Sequence, residues 1–268
     1  MPGEFHLVRP PDIPAVRAML LRAPHHNLFA LDALTAAEHG RPDRAVWYYD
    51  DKDHSCVLAV VNRTCSLCVP MAADPRVVAT HIDLLSQTAD ISVVAGTHET
   101  FHAVLRHLPS NRLGASRSLA FAHLDQPRDA FVDQALMARV RQVGVDDLRR
   151  IDQCYADGEW AANEMSRREA LEEGRLYALE QHGRVVAAAY VQPLVDSVGI
   201  IRGVYTPKTY RGRGYATALV AEIDRRMLAE GVVPCLMYDN PAAGRIYHRL
   251  GYRDFDRWCS VQLLASRH

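Results

Sequence analysis

Apolar positions along this chain alternate between two periods, and the alternation runs the same course twice. Short apolar runs at 5–8, 45–49, 56–61 and 65–69 read as strands. Ile13, Val16, Met19 and Leu20 recur at helical spacing, as do Leu28, Leu31, Leu34 and Ala37 behind a cap at Asn27. A helix over 77–85, a strand over 91–95, a helix over 99–108 and a strand over 116–124 complete the first course. After Asp125-Gln126-Pro127-Arg128-Asp129 the order restarts. A strand at 138–143 is followed by a helix face of Leu148, Ile151 and Tyr155, and a further helix spans 166–173. Strands follow at 176–180, 185–195 and 199–206. Ala216, Leu219, Val220, Ile223 and Met227 then mark a helix, 234–238 a strand, and 241–250 a last helix ended by Gly251. Both halves open alike, with Leu-Val-Arg-Pro-x-Asp-Ile at 7–13 and Arg-Gln-Val-x-x-Asp-Asp-Leu at 141–148. The pattern predicts an α/β chain of two tandem domains, 1–127 and 128–268, each a central mixed sheet flanked by helices.

Composition narrows the class. With 268 residues the chain exceeds one ordinary domain, and 49% hydrophobic against 24% charged residues describes a protein able to build real cores. A net charge of −1 gives no global basic field for a nucleic-acid polymer. No apolar run is long enough to span a bilayer, and the start Met1-Pro2-Gly3-Glu4-Phe5-His6 lacks the basic and apolar regions of a signal peptide. Six scattered cysteines suit a reducing compartment. A cytoplasmic protein without membrane contact is expected.

Charge is concentrated where the chemistry looks to be. The stretch Ile200-Ile201-Arg202-Gly203-Val204-Tyr205-Thr206 is a strand, and Pro207 to Gly214 is a basic, glycine-rich turn before a helix. A strand, a glycine turn and a helix start together bind phosphate: unpaired N–H groups of the first helical turn point outward, and the helix dipole adds positive charge. Gly212 and Gly214 let the main chain approach a ligand, while Lys208, Arg211 and Arg213 add full charges. It is not a Walker loop, which needs Gly-Lys-Ser/Thr, nor a dinucleotide fingerprint, whose third glycine is missing. What is present is Arg-x-x-Gly-x-Ala at Arg211, Gly214 and Ala216. Further on, Asn-x-x-Ala-x-x-x-Tyr-x-x-x-Gly-aromatic is filled by Asn240, Ala243, Tyr247, Gly251 and Tyr252. Asn240 can cap that helix and Pro241 suits its first position.

Alone, the first motif is also an ordinary solvated turn. In this order and spacing, the two resemble the GNAT superfamily of acyl-CoA-dependent N-acyltransferases over about 138–262. The resemblance implies acetyl-CoA or another acyl-CoA as co-substrate, no metal, and direct attack by an amine. It implies a donor site of Val204, Tyr205 and Thr206 at the thioester, Arg211, Gly212, Arg213, Gly214, Tyr215 and Ala216 at the pyrophosphate, and Asn240, Ala243 and Tyr247 along the pantetheine arm. A backbone N–H near 204–206 would face the oxyanion, and Tyr247 would be the general acid for the leaving thiolate. Glu159, Glu164 and Asp196 are candidate bases, with Glu159 and Asp196 preferred, and Trp160 and Tyr190 could line the acceptor pocket.

The first half matches only by element order. Its loop Val69-Pro70-Met71-Ala72-Ala73-Asp74-Pro75 has neither glycine nor arginine, so that half is expected to be degenerate and not to bind CoA in the family's manner. Cys65-x-x-Cys68, with Cys56 and His54 nearby, invites a zinc reading, but the cysteines sit in apolar runs and read as small core residues. His25 and His26 read as a turn, and His102 and His107 as surface residues without ligand spacing. The favoured acceptor is a small-molecule amine, with a protein amine as alternative. Two rivals stand beside acyl-CoA transfer: an aminoacyl-tRNA or carrier-protein donor on the same fold, and a non-catalytic acyl-CoA-binding module. Oligomeric state is not readable from the sequence.

Overall fold

A computed structural model describes residues 4–39, 44–51, 54–69, 71–88, 91–156, 158, 164–195 and 197–265. The chain divides into two compact units, Met1–Ala120 with Asp256–His268, and Phe121–Phe255.

The first unit runs β1 (Glu4–Leu7), α1 (Ile13–Leu20), α2 (Leu28–Glu38), β2 (Arg44–Asp51), β3 (His54–Val61), β4 (Thr64–Leu67), α3 (Pro75–Thr88), β5 (Val93–Thr97), α4 (His98–Leu105) and the start of β6 (Leu113–Leu124). The second contains α5 (Gln134–Met137), β7 (Val140–Gln142), α6 (Leu148–Tyr155), α7 (Glu164–Glu172), β8 (Leu176–Gln181), β9 (Arg184–Val195), β10 (Val198–Tyr205), α8 (Tyr215–Ala229), β11 (Val233–Tyr238), α9 (Pro241–Leu250) and the start of β12 (Tyr252–Leu263). The repeated order read from the hydrophobic pattern is therefore present in both.

In the first unit β1, β2, β3 and β4 pair antiparallel in turn, and β4 pairs parallel with β5. In the second, β7 to β10 pair antiparallel in turn and β10 pairs parallel with β11. The first unit draws its residues from both ends of the chain. Residues 258–262 of β12 pair antiparallel with β5, so the last strand of the chain completes the first unit's sheet. Without it β5 would present an open, largely apolar edge. Arg112 fastens the same tail, donating to Asp83, to Ser86 Oγ (3.0 Å) and to the Leu264 carbonyl (3.1 Å).

The strand expected over 138–143 is present as β7, and a helical turn at Gln134–Met137 that the sequence reading did not include precedes it, because the Asp133 carboxylate accepts from the N–H groups of Ala135 (2.9 Å) and Leu136 (3.2 Å). One local expectation is corrected. Asn27 does not cap α2 through its side chain. Its buried amide donates to the Leu20 and Val69 carbonyls and accepts from Val69 N–H (2.7 Å), tying the α2 start to the turn after β4. A fully spent side-chain amide is a stronger use of a buried asparagine than a cap exposed to water.

The cysteines at 56, 65 and 68 are buried. Burial pushes the Cys56 and Cys68 thiols up and takes Cys65 to about 12, so they stay protonated and serve as small core groups. In the second unit α6 and α7 cover one face of the sheet through Ile151, Tyr155, Leu171, Ala188 and Tyr190. Helices α8 and α9 cover the other through Ala187, Val191, Leu219, Ile223, Tyr247 and Leu250. Among the described residues no helix is long and apolar enough to cross a membrane.

Gly251 ends α9 with φ +104°, and its carbonyl accepts from Asp125 N–H (3.2 Å) and Gln126 N–H (3.4 Å). A Cβ there would lie 1.7 Å from the Gln126 carbonyl oxygen, whereas one on Gly231 (φ +75°) meets nothing. Gly231→Ala should cost about 1 kcal/mol from the left-handed backbone alone, and Gly251→Ala about 3 kcal/mol or more from the added clash. Urea denaturation midpoints of the two variants check this, and equal midpoints would remove the packing argument.

Candidate active site

The site begins with a bend in β10. Over Val198–Ile201 the strand pairs parallel with Val233–Leu236 of β11, and there the pairing stops. Both strands run on, to Tyr205 and Tyr238, so a wedge opens between their ends. On the other side of β10, Arg202 pairs with Tyr190 and Tyr205 with Ala188, so three steps on β10 span two on β9. That is a β-bulge, and Gly203 sits in it with φ +60°. A side chain there would strike the Tyr190 ring (2.4 Å from a built Cβ), and the Tyr155 hydroxyl donates to the Gly203 carbonyl at 2.6 Å. The bulge thus needs glycine for its dihedral and for the ring packed over it.

After Pro207 comes one helical turn at Lys208–Tyr210, then Arg211, Gly212, Arg213 and Gly214. Gly212 (φ +75°) and Gly214 (φ +78°) are left-handed, a geometry that gathers successive N–H groups into an anion-binding concavity. Gly214 is the N-cap of α8 and has no side chain to spend on the first-turn N–H groups, which an α-helix leaves without internal partners. Arg211 is tied back, donating Nε–H to the Thr206 carbonyl (2.9 Å) with its guanidinium 5.7 Å from the Tyr205 ring centroid. Arg213 and Lys208 are exposed, and no carboxylate pairs with either among the described residues. Tyr215 and Ala216 are half-buried at the α8 start.

Helix α9 starts beyond β11. Asn240 caps it, Oδ1 accepting from Ala242 N–H at 2.9 Å, so its Nδ2 is left to point elsewhere. Tyr247 is buried one helical face on, edge-to-face with Tyr238 (5.4 Å) and Tyr252 (5.9 Å). Val204, Tyr215, Ala243 and Tyr247 all pack in one apolar cluster, which gathers segments far apart in sequence. Tyr205 points to the opposite face, stacked on Tyr155 at 5.6 Å. Burial, with Asp224 adding to it, pushes the Tyr247 hydroxyl up and keeps it protonated across the neutral range.

The candidate bases Glu159 and Asp196, and Trp160, lie outside the described residues. Glu164 opens α7. Tyr190 is on the α6–α7 face, fully buried, and among the described residues its hydroxyl, Gln192 Oε1 and Thr206 Oγ1 have no hydrogen-bond partner. Gln192 Nε2 donates to Glu169 of α7 at 2.7 Å. Sequence reasoning passed over Gln192 and Glu169, although two-residue alternation puts Gln192 beside Tyr190 and a glutamine in so apolar a strand is itself a signal. It also missed Asp224, which falls four residues after Val220 on the apolar face of α8 and accepts a 2.6 Å hydrogen bond from Tyr252.

Residues 145–252 match the model of the Acetyltransferase (GNAT) family. No curated protein sequence matches the chain. Among solved structures, a tandem GNAT protein from the clavulanic acid biosynthesis pathway superposes with a TM-score of 0.67 at 13% identity, covering 99% of each chain. An acetyltransferase of the GNAT family from Colwellia psychrerythraea gives 0.58 at 10% identity, covering 97% of this chain and 99% of that one. A GCN5-related N-acetyltransferase from Sphaerobacter thermophilus gives 0.60 at 16%, with 97% and 95% covered. The wedge, the glycine loop and the α9 pattern thus lie within the stretch that matches the GNAT family model. The chain has the fold of a tandem GNAT protein, with its family-matching domain in the second unit.

Burial moves the Asp224 carboxyl from its ordinary 3.8 to about 8, against the pull of the Tyr252 hydrogen bond. Between those values the folded chain holds a proton that the unfolded chain has lost. Stability should therefore fall as pH rises through that window and level off above it. Asp224→Asn should flatten the dependence relative to wild type, as read by urea unfolding across the window; parallel curves for the two proteins would contradict it.

Proposed function

We propose that the second unit transfers an acetyl or other short acyl group from acyl-CoA to an amine, by direct attack within a ternary complex. The observation that carries this reading is the pairing of the β10–β11 wedge with the uncapped, glycine-opened start of α8 directly after β10. An extended acylated arm can lie along a strand end that has lost its neighbour, in the manner of strand addition. The phosphate end of the same molecule then meets the N–H groups of Gly212 to Ala216 and the charges of Lys208, Arg211 and Arg213. Asn240 has an amide nitrogen to offer the arm, beside Ala243.

In the proposed reaction a carboxylate, Glu159 or Asp196, removes the proton that makes the acceptor amine a cation. The amine nitrogen then forms a bond to the thioester carbon, and backbone N–H groups at 204–206 steady the oxyanion. As the C–S bond breaks, Tyr247 gives its proton to the sulfur. A buried phenol is a weak acid, but the burial that raises Tyr247 also raises a thiolate formed beside it, so the transfer stays near balance. No nucleophilic cysteine or serine is required. The first unit is not a second donor site. Its loop before α3 lacks glycine, and Asp74 Oδ1 already accepts from Arg76 N–H (2.9 Å) at that helix start, where a phosphate would otherwise sit.

Calorimetry with acetyl-CoA and longer acyl-CoAs should give micromolar binding that Gly214→Asp abolishes, through its charge and its loss of the left-handed backbone. Tyr247→Phe should keep that binding and lower turnover of an amine acceptor about 10²- to 10⁴-fold. Absence of binding by every CoA species would sink the donor assignment; unchanged turnover would remove Tyr247 from the mechanism.

A further inference from the structure

The first unit carries a group of donors that the acyl-transfer site does not use. Helix α4 follows β5 without a loop, so its first turn lies against the strand that pairs with β5. His98 and His102, exposed and four residues apart on that helix, share one face, and their rings meet edge-on with centroids 4.6 Å apart. Cys259 pairs with Gly96 across the β5–β12 ladder and is buried. Its Sγ lies 4.0 Å from His98 Nδ1, and one ligand atom from each of the three residues lies within 4.8 Å of the others.

We infer that His98, His102 and Cys259 form a divalent transition-metal site, with zinc as the fitting ion and solvent in the fourth position. Two imidazoles and one thiol are a borderline-soft donor set, which suits zinc and does not suit magnesium or calcium, whose ligands are oxygens. Around tetrahedral zinc, S···N edges are about 3.6 Å and N···N edges about 3.4 Å, from the ordinary metal–ligand bond lengths. The present spacing therefore closes onto an ion by small ring rotations of two surface histidines, with no backbone movement. Ser118 completes the surroundings. It accepts from Arg257 Nε–H at 2.8 Å and sits 3.4 Å from Cys259 Sγ, so its own hydrogen is left to support a thiolate. Asp256, which accepts from His98 N–H (3.4 Å) and lies 3.3 Å from His26 Nε2, puts a carboxylate at the same corner. Bound there, the ion pins α4 to the last strand and stabilises the first unit by binding only its folded form. The site is independent of acyl transfer.

Cobalt(II) titrated into the untagged, reduced full chain provides the test. The expected result is saturation at one equivalent, with a sulfur-to-cobalt charge-transfer band in the near ultraviolet. Cys259→Ser should lose that band. Ser118→Ala should bind about 10- to 100-fold more weakly. Because Cys259 is buried and its replacement could unfold the unit, His102→Ala, on the helix surface, serves as the second variant; it too should lose one-equivalent saturation. Zinc should raise the thermal midpoint of wild type and leave that of His102→Ala unmoved. A wild-type spectrum without a thiolate band, or a band that survives in Cys259→Ser, would overturn the site. So would equal zinc stabilisation of His102→Ala.

Discussion

Gly203 is the point on which the second unit turns. A parallel pair of strands joined by a helix would normally stay hydrogen-bonded along its length, leaving no room for a ligand between them. Here one left-handed residue adds a step to β10, bends it onto β9 and releases its far end from β11. The bend is held from outside by the Tyr155 hydroxyl on the Gly203 carbonyl and by the Tyr190 ring against the missing side chain. The wedge and the direction in which the chain leaves for the glycine loop follow from that bulge, and ordinary alternation beyond it puts Val204 and Tyr205 on opposite faces.

The two faces beside the wedge have different chemistry for a physical reason. On the α8–α9 face an apolar cluster surrounds Tyr247, and the buried carboxyl of Asp224 is satisfied by Tyr252. The α6–α7 face instead leaves the Tyr190 hydroxyl and the Gln192 carbonyl oxygen buried without partners among the described residues. Buried polar atoms are expensive to leave unpaired, so that face is the more polar of the two. The basic residues stand apart from both, at the α8 start, where helix dipole and side-chain charge add.

The two units repeat one order of elements yet divide the labour. Each contains a parallel strand pair followed by a helix, but only the second has glycine in the turn. In the first, aspartate takes the position at the helix start that the second leaves open. Asp256–His268, from the end of the chain, belongs to the first unit, where β12 closes the edge of β5.

Much of this could be read in one dimension. Helix and strand periods, the left-handed glycines at 212, 214 and 251, and the cap at Asn240 are local, since each depends on residues within a turn or so of the chain. They identified the element order and the loop together with the α9 motif. Partner choice was not local. Which strand closes β5, whether Asn27 caps a helix or ties two segments, and how Asp224 finds Tyr252 all depend on residues brought together from distant parts of the sequence. The same holds for Cys259 beside His98 and His102. His98 and His102 have a visible spacing, but a third donor some 160 positions on has none, because neighbours across a sheet leave no period along the chain. The sequence by itself determined which elements form and where the left-handed glycine turn falls. Only the tertiary structure decided which side chains share a site, since that is set by strand pairing and packing over long separations.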